Sequence, residues 1–315
     1  MRDKKGVLAL VVPCYNEEEV LRKTAERLTG ELVRLSNLQK IHTDSFIVFV
    51  DDGSKDKTWE IIKELKKQNP SIKGIKLSRN FGHQSALLAG LNKVIDICDV
   101  AVTIDADLQQ DEKALESFID KYNEGYELVF GVRKDRNTDS LFKKVSASTF
   151  YTLMRLMGVN IIKNHADYRL ASQKVLKTLA EYEETNLFLR GIFPSLGFKS
   201  TIVHHEVHKR TEGKTKYSLP KMLLFALNGI TSFSVVPIRF ISVLGVSFFV
   251  ISIFMSLYAL YAYIFYNVVH GWTSIVIPIY FIGEIQLLSL GVIGEYIGKI
   301  YGEVKRRPRY IIEEE

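Results

Sequence analysis

The chain has 315 residues, 47% apolar and 25% charged, with a formal net charge of +6 and two cysteines. That length allows one large domain or two smaller ones. Cys14 and Cys98 have no metal-ligand spacing and fit buried thiols in a reduced compartment, and the cationic balance comes without a nucleic-acid recognition module, so it points to an anionic membrane leaflet and excludes nucleic-acid binding.

The charged start, Met1 to Gly6, leads into an apolar stretch, Val7 to Val12, that is short for a signal peptide and ends in Pro13-Cys-Tyr-Asn16, so it predicts a first strand. Two more apolar runs, Phe46 to Val50 and Val100 to Ile104, also end in polar clusters, Asp51-Asp-Gly-Ser54 and Asp105-Ala-Asp107-Leu-Gln109. Between them Glu17 to Leu35, Lys57 to Lys67 and Gln84 to Val94 read as helices. The second has Ser54 or Asp56 as N-cap and Trp59, Ile61, Ile62 and Leu65 on one face. Continuously apolar strands alternating with helices imply an α/β fold with a parallel sheet covered on both faces, which binds ligands at the carboxyl ends of its strands, where all three clusters lie.

Tyr15 offers a stacking surface and Glu17 an acceptor beside the first strand, unless the segment is only a turn capped by Asn16. In Asp51-Asp-Gly-Ser54 a carboxylate beside a glycine turn suits a base or ribose edge, and equally an ordinary N-cap. Ser78-Arg-Asn-Phe-Gly-His-Gln84 offers Arg79 as an anion ligand and His83 at a bend, the histidine being either a site residue or structural. Alternation along an extended chain puts Asp105 and Asp107 on one face, with Gln109 following. Oxygen-only ligands of this kind favour Mg²⁺ or Mn²⁺ holding a diphosphate.

Further along, Arg133 is a candidate phosphate ligand. Leu141 to Met157 has apolar residues at helical spacing, for core packing or membrane-surface contact. Asp167-Tyr-Arg-Leu170 reads as a polar break after that helix. The loop His208 to Ser218 is rich in cations, and Arg210, Lys214 and Lys216 suit a phosphate-binding lid or a solvated linker. Ser218 to Val236 looks interfacial. No charged residue occurs from Phe240 to Tyr266, and only Glu284 and Glu295 occur from Trp272 to Gly298. Each stretch is long enough to cross a bilayer, and the cations flanking both put both ends in the cytoplasm. Glu284, midway along the second, is either functional or tolerated.

In this order and spacing, Val-Pro-Cys-Tyr-Asn-Glu-Glu18, Asp-Asp-Gly-Ser54, the Ser78 to Gln84 segment, Asp-Ala-Asp-Leu-Gln109, Asp-Tyr-Arg-Leu170 and the two apolar spans resemble family 2 glycosyltransferases with the GT-A fold. The likeness is to the group acting on polyprenyl phosphates, such as bactoprenol glucosyltransferases and dolichol-phosphate mannose synthases. It implies a catalytic domain over 1–217, a juxtamembrane segment over 218–237, a two-helix transmembrane hairpin over 238–300 and a basic cytoplasmic tail over 301–315. It also implies that Pro13, Tyr15, Glu17 and Asp52 hold the nucleoside, that Asp105, Asp107 and Gln109 bind the metal, and that Asp167 is the candidate base. A lipid monophosphate is already largely dianionic near neutral pH, its second pKa being about 6. Asp167 then orients the acceptor or balances charge, with an ordinary salt bridge to Arg169 as the alternative.

The activity implied is inverting transfer of one sugar, with UDP-glucose favoured as donor, to undecaprenyl or dolichyl phosphate at the inner leaflet, by a protein expected to self-associate. One rival, a processive polysaccharide synthase, is disfavoured because its Gln-x-x-Arg-Trp motif is absent, the tryptophans being Trp59 and Trp272. The other is a non-catalytic adaptor that binds nucleotide sugar.

Overall fold

The structure, a computed structural model, describes residues 5–107, 109–134, 165–184, 188–206, 234–265 and 271–315. Eight strands form one sheet in the order β7-β5-β6-β4-β1-β2-β3-β8. They are β1 (Leu8–Cys14), β2 (Phe46–Asp51), β3 (Ile72–Leu77), β4 (Val100–Thr103), β5 (Leu128–Arg133), β6 (His165–Ser172), β7 (Ser200–His205) and β8 (Ile312–Glu314). β1 runs parallel to β2 and β4, β2 to β3, and β5 to β7. β6 is inserted antiparallel between β4 and β5. The mostly parallel α/β sheet expected from the sequence is therefore present.

Every residue of β1, β2 and β4 is buried. Alternation splits β1 between two cores. Leu8, Leu10 and Val12 join residues of α1 (Leu21–Asn37), α2 (Thr58–Gln68) and α4 (Ala114–Asn123) on one face. Ala9 and Val11 join residues of α3 (His83–Val94), α5 (Gln173–Ala180) and α6 (Leu189–Ser195) on the other.

Two expectations are revised. Asp167-Tyr-Arg-Leu170 is not a polar break: it lies within β6, where Tyr168 and Leu170 are 0% exposed, because the strand is sandwiched between two others. Nor is the end of the chain a free tail. β8 adds antiparallel to the edge strand β3, pairing Lys76 with Glu314 and Leu77 with Ile312. Trp59 Nε1 donates to Glu314 Oε2 at 2.8 Å, Lys76 pairs with Glu313 at 2.9 Å, and Tyr310 and Ile312 pack on the core. The edge is thereby covered.

Two long helices precede β8, α7 (Val236–Phe265) and α8 (Trp272–Val304). Phe248 meets Phe281 edge-on at 5.5 Å and the Tyr296 hydroxyl donates to Ser234 O, so the pair runs antiparallel. Among the described residues one helical stretch, Phe281–Val304, is long and apolar enough to cross a membrane, and Val236–Phe248 is a shorter apolar one. The Leu141 to Met157 helix and most of the Ser218 to Val236 segment lie outside the described residues, as does the side chain of Glu284.

Candidate active site at the carboxyl ends of the strands

The loops leaving β1 and β2 are stitched together. Asn16, at φ 54°, donates its backbone N–H to Ser54 Oγ at 2.9 Å and accepts from Lys55 N on its amide oxygen at 2.9 Å. Glu17 N donates to Thr58 Oγ1, and Asp52 N to Cys14 O, each at 2.9 Å. Asn16 and Ser54 thus serve each other's loops. Ser54 does not cap α2, whose N-cap is Lys57; Asp56 instead accepts Thr58 N at 3.0 Å. Pro13 is buried, and Tyr15 and Glu17 are half-buried at the rim.

Asp52, only 2% exposed, accepts the backbone N–H groups of Phe81 at 2.7 Å and Gly82 at 2.9 Å. Each of its oxygens accepts one N–H of the loop that follows β3, so Asp52 shapes that loop. Gly53 lets the two loops touch. It has φ +64°, and a Cβ there would stand 2.3 Å from the Arg79 carbonyl carbon. G53A is therefore expected to displace the Ser78–Gly82 loop and destabilise the protein by about 1–3 kcal/mol, measured by denaturant titration. Arg79 lies outside the strand ends, exposed, its guanidinium over the Phe81 ring at 3.9 Å.

β4 ends at Thr103, and the chain turns at Ala106 and Asp107. Simple strand alternation therefore does not carry through Asp105, Asp107 and Gln109. The turn adds a contact of its own: Gln110 donates through Nε2 to Asp105 Oδ2 at 2.6 Å and accepts from Asp105 N at 3.1 Å. Gln109 N donates to Asp107 Oδ1 at 3.1 Å. Among the described residues no group of three or more His, Cys, Asp or Glu gathers as a metal cluster. The residues nonetheless fit a hard cation, since Asp105 and Asp107 are half-buried oxygen donors separated by one residue, and further oxygen ligands would have to come from elsewhere. Burial, and then the charges of Asp167 and Asp107, push the Asp105 carboxyl up, partly offset by His83; a cation there would relieve the strain between carboxylates.

Beside Asp105 stands a cluster of polar side chains around Asp167. Asp167, 4% exposed, is held by Arg169 Nη2 and by Arg190, which donates from Nη2 at 2.8 Å and Nε at 3.3 Å. His83 Nε2 lies 3.4 Å from Asp167 and 3.8 Å from Asp105. Gln84 Nε2 reaches Asp167 at 3.5 Å, while its Oε1 accepts Leu189 N at 3.2 Å, tying the start of α3 to the start of α6. Burial alone would raise the Asp167 carboxyl, but Arg190 above all, then Arg169 and His83, hold it well below the usual carboxylate range. A carboxylate has about four lone-pair sites, and these donors fill them. Asp167 is an ionised anchor and a poor proton acceptor.

Arg133, at the end of β5, is half-buried on the same edge of the sheet. Arg210, Lys214 and Lys216 lie outside the described residues. Sequence reasoning missed Gln84, Gln110 and Arg190. Gln110 had a signal, being adjacent to Gln109; Arg190, in Asn-Leu-Phe-Leu-Arg-Gly191, had none.

The Glycosyl transferase family 2 model matches residues 9–180. The chain is 49% identical over 99% of its length to the uncharacterized glycosyltransferase YkoT of Bacillus subtilis (strain 168), covering 93% of that protein. It is 37% identical over 97% of its length to the prophage bactoprenol glucosyl transferase homolog of Escherichia coli (strain K12), covering 98%. It is 36% identical over 98% of its length to the bactoprenol glucosyl transferase of Shigella phage SfV, again covering 98%. Among solved structures, glucosyl-3-phosphoglycerate synthase from Mycobacterium tuberculosis with Mn2+, UDP-glucose and phosphoglyceric acid aligns over 72% of this chain and 78% of that one, at 17% identity and a TM-score of 0.48, a likeness too loose to transfer residue roles. With a family match over more than half its length and relatives aligned along nearly all of it, the chain belongs to glycosyl transferase family 2 and is a glycosyltransferase.

Proposed function

We propose that this enzyme transfers a single sugar, glucose from UDP-glucose, to a polyprenyl phosphate at the cytoplasmic face of a membrane, with inversion at the anomeric carbon. The observation that carries this reading is the state of Asp167. Its charge is locked by two arginines and its oxygens are occupied, so this carboxylate, which shares His83 with Asp105, is unsuited to deprotonating a sugar hydroxyl. A phosphate acceptor needs no such base.

In the proposed reaction an acceptor phosphate oxygen attacks the anomeric carbon while the bond to the diphosphate breaks, and the electron pair leaves with the nucleotide. No covalent enzyme intermediate forms. Pro13, Tyr15 and Glu17 receive the nucleoside, with Asp52 acting through the loop it holds. Asp105, Asp107 and Gln109 would hold Mg²⁺ or Mn²⁺, which supplies charge neutralisation for the departing diphosphate. Arg79, Arg133, Arg210, Lys214 and Lys216 are the proposed phosphate contacts, and Arg210 is also assigned a part in the transfer step.

Names of relatives that specify bactoprenol support the lipid acceptor. The membrane reading draws on the apolar surface of α7 and α8, where Phe254 is 67% exposed and Leu287 72%. It also draws on β8. Because the chain returns to the catalytic sheet after α8, any crossing by α8 must be matched by one in the opposite sense, as in a two-helix hairpin with both ends cytoplasmic. Self-association through these helices is part of the proposal, as are a catalytic domain over 1–217, a juxtamembrane segment over 218–237 and a hairpin over 238–300.

The test is transfer from labelled nucleotide sugars into undecaprenyl phosphate by purified protein with Mg²⁺, beside D107A. Label should enter the lipid from UDP-glucose and fall by at least about a hundredfold in the variant, as when a strong electrostatic contact to developing charge is removed. Nucleotide-sugar binding with no transfer from any donor would establish an adaptor instead.

A further inference from the structure

The chain leaves α8 at Val304 and enters β8 at Ile312. It arrives at the edge of the sheet that carries the candidate site: Ile312 lies opposite Leu77, and Ser78 N donates to Ile311 O at 3.0 Å, at the carboxyl end of β3. β7 ends at the same edge, at His205, before the chain continues to α7. Both connections to the long helices therefore leave from the carboxyl edge. An extended chain spans at most about 3.5 Å per residue, so the end of α8 lies within about 28 Å of Ile312.

The connection after α8 is cationic. From Glu295 to Arg309 the chain carries five cations against two carboxylates, Glu295 and Glu303. Lys305, Arg306 and Arg307 are exposed, and among the described residues none of the three forms an ion pair. Lys305 Nζ stands 4.0 Å over the Tyr301 ring. Ile297, Ile300, Tyr301 and Val304 share one face of the helix, each at least 59% exposed. A helix of 33 residues is about 50 Å long, against about 40–45 Å for a bilayer with its headgroups, so a crossing by α8 carries this face into the headgroup layer. An apolar and aromatic face that ends in cations suits that layer. A second copy is the poorer occupant, because in one bilayer it has the same orientation and brings its own Lys305 to Arg307 against these.

We propose that Lys305, Arg306 and Arg307 bind the headgroups of anionic phospholipids and thereby seat the carboxyl edge of the sheet against the bilayer. The site rests on the membrane reading given above. Its ligand is a phosphodiester lipid of the surrounding leaflet, distinct from the acceptor monophosphate. Through β8 the contact sets the height of the Ser78–Gly82 loop above the headgroups.

Full-length protein in a non-ionic detergent is titrated with dioctanoyl phosphatidylglycerol, dioctanoyl phosphatidylcholine and UDP. The proteins compared are the wild type, K305Q/R306Q/R307Q and a control, K66Q/K67Q, altered in the exposed last turn of α2. Each cation near a headgroup is worth about fivefold, so the triple variant should bind phosphatidylglycerol about a hundredfold more weakly, a difference that shrinks as salt is raised. Its binding of phosphatidylcholine and UDP, and all binding by the control, should stay within about twofold of wild type. If the triple variant does not fold, R307Q decides by the same criterion at about fivefold. Equal binding of the two lipids by the wild type, or unchanged phosphatidylglycerol binding in the variant, would overturn the proposal. So would weakened UDP binding, which assigns the cations to the donor, or a changed oligomeric state in light scattering with lipid binding intact, which makes this face a contact between copies. A wild-type protein that binds phosphatidylglycerol through this turn yet transfers no sugar would count against the proposed reaction and leave the lipid site standing.

Discussion

D167A should be among the most damaging single substitutions in the catalytic domain, costing about 3–5 kcal/mol of stability and abolishing sugar transfer. The physical reason is Arg169: it is 1% exposed and loses its counter-ion, while Arg190 and His83 lose the group that aims them. D167N keeps the shape and one acceptor oxygen, so it should fold better than D167A and still transfer poorly. Denaturant titration of the purified protein, with transfer assayed alongside, separates the two effects; a D167A protein of wild-type stability would show that Arg169 is satisfied without its partner. The pH dependence has a definite sign. A carboxyl depressed in the folded state contributes stability above its unfolded pKa of about 3.9, and loses it as pH falls through the lower folded value. Asp167 should therefore contribute no acid limb to transfer between about pH 5 and 8.

Ending the chain at Arg309 should have the second largest effect, about 2–5 kcal/mol of lost stability with increased aggregation. Removing Tyr310 and Ile312 uncovers core surface worth about 1–2 kcal/mol. The Trp59 indole N–H, on a residue 5% exposed, loses its acceptor Glu314 at about 1–3 kcal/mol. The ion pairs Lys76–Glu313, half-buried on the lysine side, and Lys93–Glu315, exposed, lie at the surface and add little. Loss of β8 also bares the edge of β3, which leads directly into the loop that Asp52 holds. E314Q keeps an acceptor for the indole and should be nearly neutral. Thermal unfolding and light scattering on the truncated and E314Q proteins give the answer, and an unchanged midpoint on truncation would show that β8 contributes no stability.

The parallel half of the sheet was readable from local pattern. Val7 to Val12, Phe46 to Val50 and Val100 to Ile104 correspond to β1, β2 and β4 within two residues, and the helices between them form as periodicity predicted. Buried parallel strands need uninterrupted apolar runs, and amphipathic helices need a repeating apolar stripe, so each announces itself within about ten residues. The same locality made the polar clusters at the strand ends visible as a candidate site and, through the family resemblance, marked the chain as a glycosyltransferase.

By itself, then, the sequence determined the fold class and the reaction class, and pointed to the carboxyl edge for the candidate site. The tertiary structure decided how the charges are used. Asp52 also holds the loop after β3, accepting one backbone N–H on each oxygen, which no local pattern announced. Asp167, read from the sequence as orienting the acceptor or balancing charge beside Arg169, lies in β6 between β4 and β5, and Arg190 from a separate helix contacts it too. Trp59 and Glu314 are 255 residues apart in the chain, and no local pattern signals their hydrogen bond. Such pairings arise only when the whole chain closes on itself, because it is burial that makes an unpartnered charge or N–H costly enough to select them.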